Sequence, residues 1–265
     1  MLVTSINYKN AITIFAKNAN KEIHEVTFKE PETTGEFPIE SFTQIRVELL
    51  LELEQEDHLI DCPPNANCPV PVVHIPKTMV SSGVIVWAND THTLVLTAGH
   101  SCDNKPTAPI RLVHEKIIVK TGHGKTADAL IFKIDDEADL CLLSIEEVIG
   151  PVMPYRSSQP PLHTEVFAMA SPLGLGSPFA IPVFEGRYFG DVSTAFSTYG
   201  FPSAPGSSGG PIFIKSGDLI GIITAVANGF HHFSIATTAK QTSSFLDKNI
   251  VLFEDKIKRK NSPVD

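Results

Sequence analysis

From Val80 onward the chain is a succession of short apolar segments closed by turn residues: Gly83 to Trp87, Thr93 to Thr97, Ile110 to Lys120, Ala129 to Ile134, Leu140 to Ile145, Glu165 to Ala170, Gly210 to Ile214 and Leu219 to Val226. Segments this rich in Val, Ile, Leu, Phe and Thr favour strands. The 20 prolines and 17 glycines, spread along the whole sequence, punctuate it in the manner of an all-β fold. One helix is predicted, over Thr238 to Phe253, with Thr238 as N-cap and Phe245, Leu246 and Ile250 at near-helical spacing. Many strands followed by one terminal helix imply a β-barrel or sandwich.

Upstream the pattern is weaker. A strand-like start at Ala11 to Phe15 gives way to a polar stretch with Pro31, Gly35 and Pro38. Phe42 to Glu54 then fits a strand by the alternation of Ile45, Val47 and Leu49, or a helix by its Leu and Glu content. Asp61 to Pro76, with five prolines, reads as an ordered loop or linker, and its Cys62 and Cys68 could close a small disulfide in an oxidising compartment. His231 and His232, beside Gly229, read as solvent-facing loop residues, with a role in substrate recognition as the rival reading. Glu254 to Asp265 is a charged tail.

Composition excludes several classes. With 42% hydrophobic and 19% charged residues the chain is too apolar to be disordered, yet no apolar run approaches the ~18 residues of a spanning helix, so no membrane partner is expected. Thirty acids against 21 Lys plus Arg give a formal charge of −9, which repels phosphate backbones and argues against a nucleic-acid partner. Four cysteines are too few for a disulfide scaffold, and the Cys and His residues are not grouped as a zinc site needs, so neither metal nor cofactor is expected. Asn7, Lys9, Asn10, Lys17 and Asn18 interrupt any secretory apolar stretch, which favours a cytoplasmic or virion-borne protein, or one whose leader has been removed.

The residues that carry chemistry begin with Pro205-Gly206-Ser207-Ser208-Gly209-Gly210-Pro211. Glycines clustered around a serine permit backbone that other residues resist, exposing a hydroxyl and turning N–H groups toward one point. Such a loop can supply a nucleophile and an oxyanion hole, although a plain turn between strands would read the same way. A serine needs a base to take its proton. Leu94-Val95-Leu96-Thr97-Ala98-Gly99-His100 offers one, an apolar strand running into two small residues and a histidine. The histidine needs a carboxylate to set its tautomer. Asp139, at the mouth of the apolar Leu140 to Ile145, is preferred to its rival Asp128, whose following segment is less apolar.

The order of Thr97-Ala98-Gly99-His100, Asp139-Leu140-Cys141-Leu142-Leu143 and Gly206-Ser207-Ser208-Gly209-Gly210-Pro211 resembles the trypsin-like (chymotrypsin-fold) serine peptidases, nearest to their HtrA-type and bacterial or viral branches. Ser82-Gly83-Val84-Ile85-Val86, Ser171-Pro172-Leu173-Gly174-Leu175-Gly176 and Gly217 to Ala225 add to the likeness, which covers about residues 78 to 250. It implies two six-stranded antiparallel β-barrels packed together. Residues 78–150 would carry His100 and Asp139, and residues 151–253 would carry Ser208 and the helix, with residues 1–77 as an extension outside the likeness and no PDZ-like module after the barrels. Ser208 would be nucleophile, His100 base then acid, Asp139 its orienter, and the N–H groups of Gly206 and Ser208 the oxyanion hole.

Departures from the family qualify the likeness. Ser207 stands where pancreatic members carry an aspartate that pairs with a new amino terminus, so activation by that route is not expected. No cysteine precedes Gly83 where the usual partner of Cys102 would sit, so Cys102 and Cys141 are expected as buried thiols rather than a mutual bridge. The primary pocket would be walled by Phe201, Pro202, Ser203, Ala204 and Pro205 and by Thr224, Ala225 and Val226. No acid lies in either stretch, which disfavours a basic side chain and suits small or medium apolar ones. A scaffold or virion assembly role, and a peptidase used once for self-cleavage, are the rival functions.

Overall fold

The computed structural model describes residues 3–8, 11–17, 23–29, 37–54, 72–176, 180–227 and 230–261. The chain divides into two units, Met1–Phe37 and Pro38–Asp265. The first is an antiparallel three-stranded sheet in the order β1 (Val3–Tyr8), β2 (Ala11–Lys17), β3 (Ile23–Lys29), with Ala11 opposite both Tyr8 and Lys29. The predicted strand at Ala11 to Phe15 lies within β2. Cys62 and Cys68 lie outside the described residues.

The second unit holds two closed barrels. Strands β4 (Phe42–Glu54), β5 (Val72–Ala88), β6 (Thr93–Ala98), β7 (Ile110–Thr121), β8 (Thr126–Asp135) and β9 (Leu140–Ile145) close in the order β4-β5-β6-β9-β8-β7. Strands β10 (Glu165–Met169), β11 (Val183–Asp191), β12 (Phe196–Tyr199), β13 (Pro211–Phe213), β14 (Leu219–Ala227) and β15 (Phe230–Thr237) close in the order β10-β11-β12-β15-β14-β13. The two windings are the same, three strands in sequence and then three in reverse, although no sequence repeat betrays it. This is the chymotrypsin-like architecture.

Phe42 to Glu54 resolves as a strand because Ile45, Val47 and Leu49 enter the core of the first barrel while Arg46 stays exposed. Burying each such side chain contributes roughly 1.5–3 kcal/mol. β4 also pairs on both sides, with β5 and with β7, so it is the strand that closes the barrel. The barrel therefore starts upstream of the boundary drawn at residue 78, and Val72 to Pro76, read from sequence as loop, belongs to β5. In β6 every residue is buried. Val95 faces the barrel interior, so Leu94 and Leu96 face the other way, where β6 packs on β14 of the second barrel.

Helix α1 (Ala239–Asn261) starts as predicted: Gln241 N–H donates to Thr238 Oγ1 at 3.1 Å. It runs past Phe253 into the segment read as a tail. Phe253 packs edge-on against Trp87 and Phe132, Trp87 Nε1 donates to Glu254 Oε1 at 3.2 Å, and Lys260 pairs with Glu146 at 2.9 Å. These contacts with the first barrel give residues 254–261 a surface to fold on, and Lys258, Arg259 and Lys260 suit a helix C-terminus. No described helix is long and apolar enough to cross a membrane. His231 and His232 lie in β15, a strand rather than a loop.

Cys102 and Cys141 form a disulfide, which corrects the expectation of free thiols. Antiparallel pairing sets Thr97 opposite Cys141, and the single turn Gly99–Ser101 then folds Cys102 back to a Cα distance of 6.5 Å. The partner is supplied by the neighbouring strand, not by the segment before Gly83. The bond closes a span of 39 residues, so Cys102→Ser/Cys141→Ser is expected to lose about 2–4 kcal/mol, read as a lower urea midpoint with a steeper slope, because the denatured chain freed of the cross-link exposes more surface.

Candidate active site

His100 sits on the 3-10 turn that ends β6, and Asp139 on the turn that opens β9. Asp135 Oδ1 accepts the N–H groups of Glu137 and Ala138, both at 3.1 Å, and so shapes the second turn. Asp139 adopts φ 51°, a left-handed conformation that aspartate tolerates better than most residues. Its Oδ1 accepts the backbone N–H of His100 at 2.7 Å, and its Oδ2 lies 2.9 Å from His100 Nδ1. Gly99 makes room for this approach, since a Cβ there would stand 3.0 Å from Asp139 Oδ1. Asp128, the rival acid, pairs instead with Lys116 at 3.2 Å on the exposed face of β8.

An ionised carboxylate only accepts, so Nδ1 carries the proton in the neutral ring and Nε2 is left as the basic nitrogen. The hydrogen bond to Asp139, aided by its charge and opposed by burial, holds the His100 pKa above its ordinary 6.5.

The Ser208 loop is built on two left-handed glycines, Gly206 at φ 96° and Gly209 at φ 84°. A side chain on Gly209 would collide with Ser82 C=O and Thr97 Oγ1 of the first barrel, so glycine is what lets the loop dock there. Ser82 N–H donates to Ser208 C=O at 2.8 Å across this seam. Ser208 and His100 line one cavity of about 200 Å³, together with Gly206, Val80 and Met79. Among the described residues the ring of His100 bonds only to Asp139, so the imidazole and the Ser208 hydroxyl border the same cavity without a direct hydrogen bond. Pro205 C=O accepts the Leu173 N–H at 2.6 Å. In a trans peptide the N–H points the opposite way, so the Gly206 N–H is turned away from Leu173.

A second cavity of about 210 Å³ adjoins Ser208 and is lined by Ser203, Ala204, Pro205, Ser207, Ile223, Thr224, Ala225 and Val226, none of them charged. Phe201 and Pro202, named from sequence as pocket walls, do not line it. Phe201 is buried in the second barrel against Tyr199, and Ser234 Oγ donates to its carbonyl at 2.8 Å. Ile223 and Ser207 also wall it, and nothing local to them in the sequence signals that position. Among the described residues no group of His, Cys, Asp and Glu is arranged to hold a metal ion.

Two like-wound barrels with this seam define a chymotrypsin-like protein. Residues 81–222, more than half of the chain, match the trypsin-like peptidase domain, and the chain belongs to that family. Among solved structures it is similar to the HtrA-type protease AlgW with decapeptide, with TM-score 0.59, 21% identity and coverage of 80% of this chain and 65% of that one. The serine endoprotease from Yersinia pestis gives 0.57, 20%, 80% and 63%. The Rv3671c protease from M. tuberculosis, in its active form, gives 0.56, 17%, 80% and 81%. The chain thus spans less than two thirds of the first two, and at these identities the likeness is one of fold. Comparison with curated proteins gave no match.

The raised pKa has a checkable sign. NMR titration of the His100 ring is expected to give a midpoint above 6.5, and Asp139→Asn to move it down, since burial then acts without the carboxylate. The same linkage stabilises the fold fully below the unfolded value and is lost as pH rises through the raised folded value. A midpoint unmoved by Asp139→Asn would refute the assignment of its cause.

Proposed function

We propose that the protein is a serine endopeptidase acting through an acyl-enzyme. Ser208 Oγ attacks the scissile carbonyl while His100 Nε2 takes its proton, and Asp139 stabilises the imidazolium through Nδ1–H. The carbonyl oxygen becomes an oxyanion held by the N–H groups of Gly206 and Ser208. His100 returns the proton to the leaving amine, leaving an ester on Ser208, and water then repeats the sequence to release the acid and restore the hydroxyl. The observation that carries this reading is the double contact of Asp139 with the backbone and ring of His100, on the cavity that Ser208 also lines. A scaffold has no chemical need of that combination.

The uncharged cavity beside Ser208 supports a preference for small or medium apolar residues on the acyl side of the cleaved bond. A lysine or arginine there would lose its hydration without gaining a counter-charge.

A fluorophosphonate probe and a peptide library test both parts. Wild-type protein is expected to label, Ser208→Ala to lose labelling, and Asp139→Asn to react about 10⁴-fold more slowly through the wrong ring tautomer. Cleavage is expected after Ala or Val in preference to Lys or Arg. Absence of labelling in the wild type would favour a scaffold. Intact mass showing the wild type shortened, Ser208→Ala whole and no added peptide cut would confine the activity to self-cleavage.

A further inference from the structure

Ser82 stands on β5 directly opposite Gln44 of β4, on the side of this strand pair away from the core residues Ile45 and Val47. It is fully buried, and its side chain and backbone are all engaged. Its Oγ–H donates to Gly206 C=O at 2.8 Å, and Oγ accepts the Ser171 N–H at 2.9 Å. Its own N–H donates to Ser208 C=O at 2.8 Å, and its C=O accepts Thr97 Oγ1–H at 2.7 Å. Gln44 Nε2, its cross-strand neighbour, donates to Gly174 C=O at 3.2 Å. One residue of the first barrel thus holds the nucleophile's own carbonyl, the carbonyl two residues before it, the start of the loop that anchors Pro205, and the threonine three residues before His100.

The hydroxyl matters because Gly206, at φ 96°, leaves both adjoining peptides free to rotate. Leu173 N–H holds the preceding peptide at Pro205 C=O, and Ser207 N–H, bonded to Ala204 C=O at 2.9 Å, holds one end of the following one. The Ser82 hydroxyl holds its other end, the Gly206 carbonyl, and does so from the opposite barrel.

We propose that Ser82 is a positioning residue whose hydroxyl anchors the Gly206 carbonyl, so that the glycine is held on both sides and its N–H, in the peptide that Leu173 holds, stays aimed at the developing oxyanion. This rests on the serine peptidase reading and adds a residue beyond the triad and the hole. Ser82 does not line the cavity beside Ser208, so its loss leaves substrate binding in place and weakens the transition state. Without the hydroxyl, Gly206 C=O and Ser171 N–H lose a buried partner and the glycine turns to find another.

The test compares wild type, Ser82→Ala and Ser82→Cys, each normalised to active sites titrated with a fluorophosphonate. For a peptide substrate with an apolar residue before the cleaved bond, Ser82→Ala is expected to lower kcat roughly 10- to 100-fold, less than removal of a hole donor outright, and to leave KM within about threefold. A peptide boronic acid of the same sequence, whose tetrahedral adduct needs the hole, is expected to lose affinity in proportion to kcat/KM, while the product acid binds as before. Ser82→Cys, with a weaker donor of similar size, is expected to fall between, and carries the comparison if Ser82→Ala does not fold. Unchanged kcat per titrated site, or unchanged boronate affinity, in an active series would overturn this inference alone. A wild type that neither labels nor cleaves would end it together with the peptidase reading.

Discussion

The Ser82 N–H donating to the Ser208 carbonyl across the seam fastens the Ser208 loop to the barrel that carries His100 and Asp139. Neither barrel contains a site by itself. The first presents an imidazole already oriented by a carboxylate, and the second presents a hydroxyl on a glycine-built loop. They meet because Gly209 has no side chain where Ser82 C=O and Thr97 Oγ1 come in. A larger residue would push the loop off the seam and take Ser208 with it.

On the first barrel the histidine turn is tied down more than once. Asp139 accepts both the backbone N–H and the ring of His100. Two residues further on, in each case, Cys102 is bonded to Cys141. The same antiparallel pairing of β6 with β9 produces both links, since residues that follow one strand end lie beside residues that begin the other. An orienting hydrogen bond supported by a covalent neighbour restricts the imidazole to small excursions, as the proposed role of His100 as base toward a hydroxyl on another barrel requires.

Much of this was legible in residues whose signal is local. The glycines around Ser208 and the small residues before His100 mark those positions because each must satisfy a steric demand of its own backbone. The strands from Gly83 onward and the Thr238 cap were readable for the same reason. Asp139 was separable from Asp128 only by the apolarity of the strand that follows it, a weaker cue; in the structure Asp139 contacts His100 and Asp128 pairs with Lys116. The strand at Phe42 to Glu54 was ambiguous because its alternation acquires meaning only when a barrel interior receives Ile45, Val47 and Leu49. Phe201 looked like a pocket wall from its nearness to Ser208 along the chain, yet the barrel core claims it.

By itself the amino-acid order determined the all-β character and the terminal helix, and it marked Ser208, His100 and Asp139 as candidates for nucleophile, base and orienting acid, because each of these signals depends on interactions among near neighbours. Tertiary structure alone decided that Cys102 would find Cys141, that residues 254–261 would be helical, which residues would wall the cavity beside Ser208, and that Ser82 would join the barrels. Those outcomes depend on which strands become adjacent, and adjacency in a closed barrel follows from its winding as a whole, with partners separated by tens of residues whose local sequence carries no record of one another.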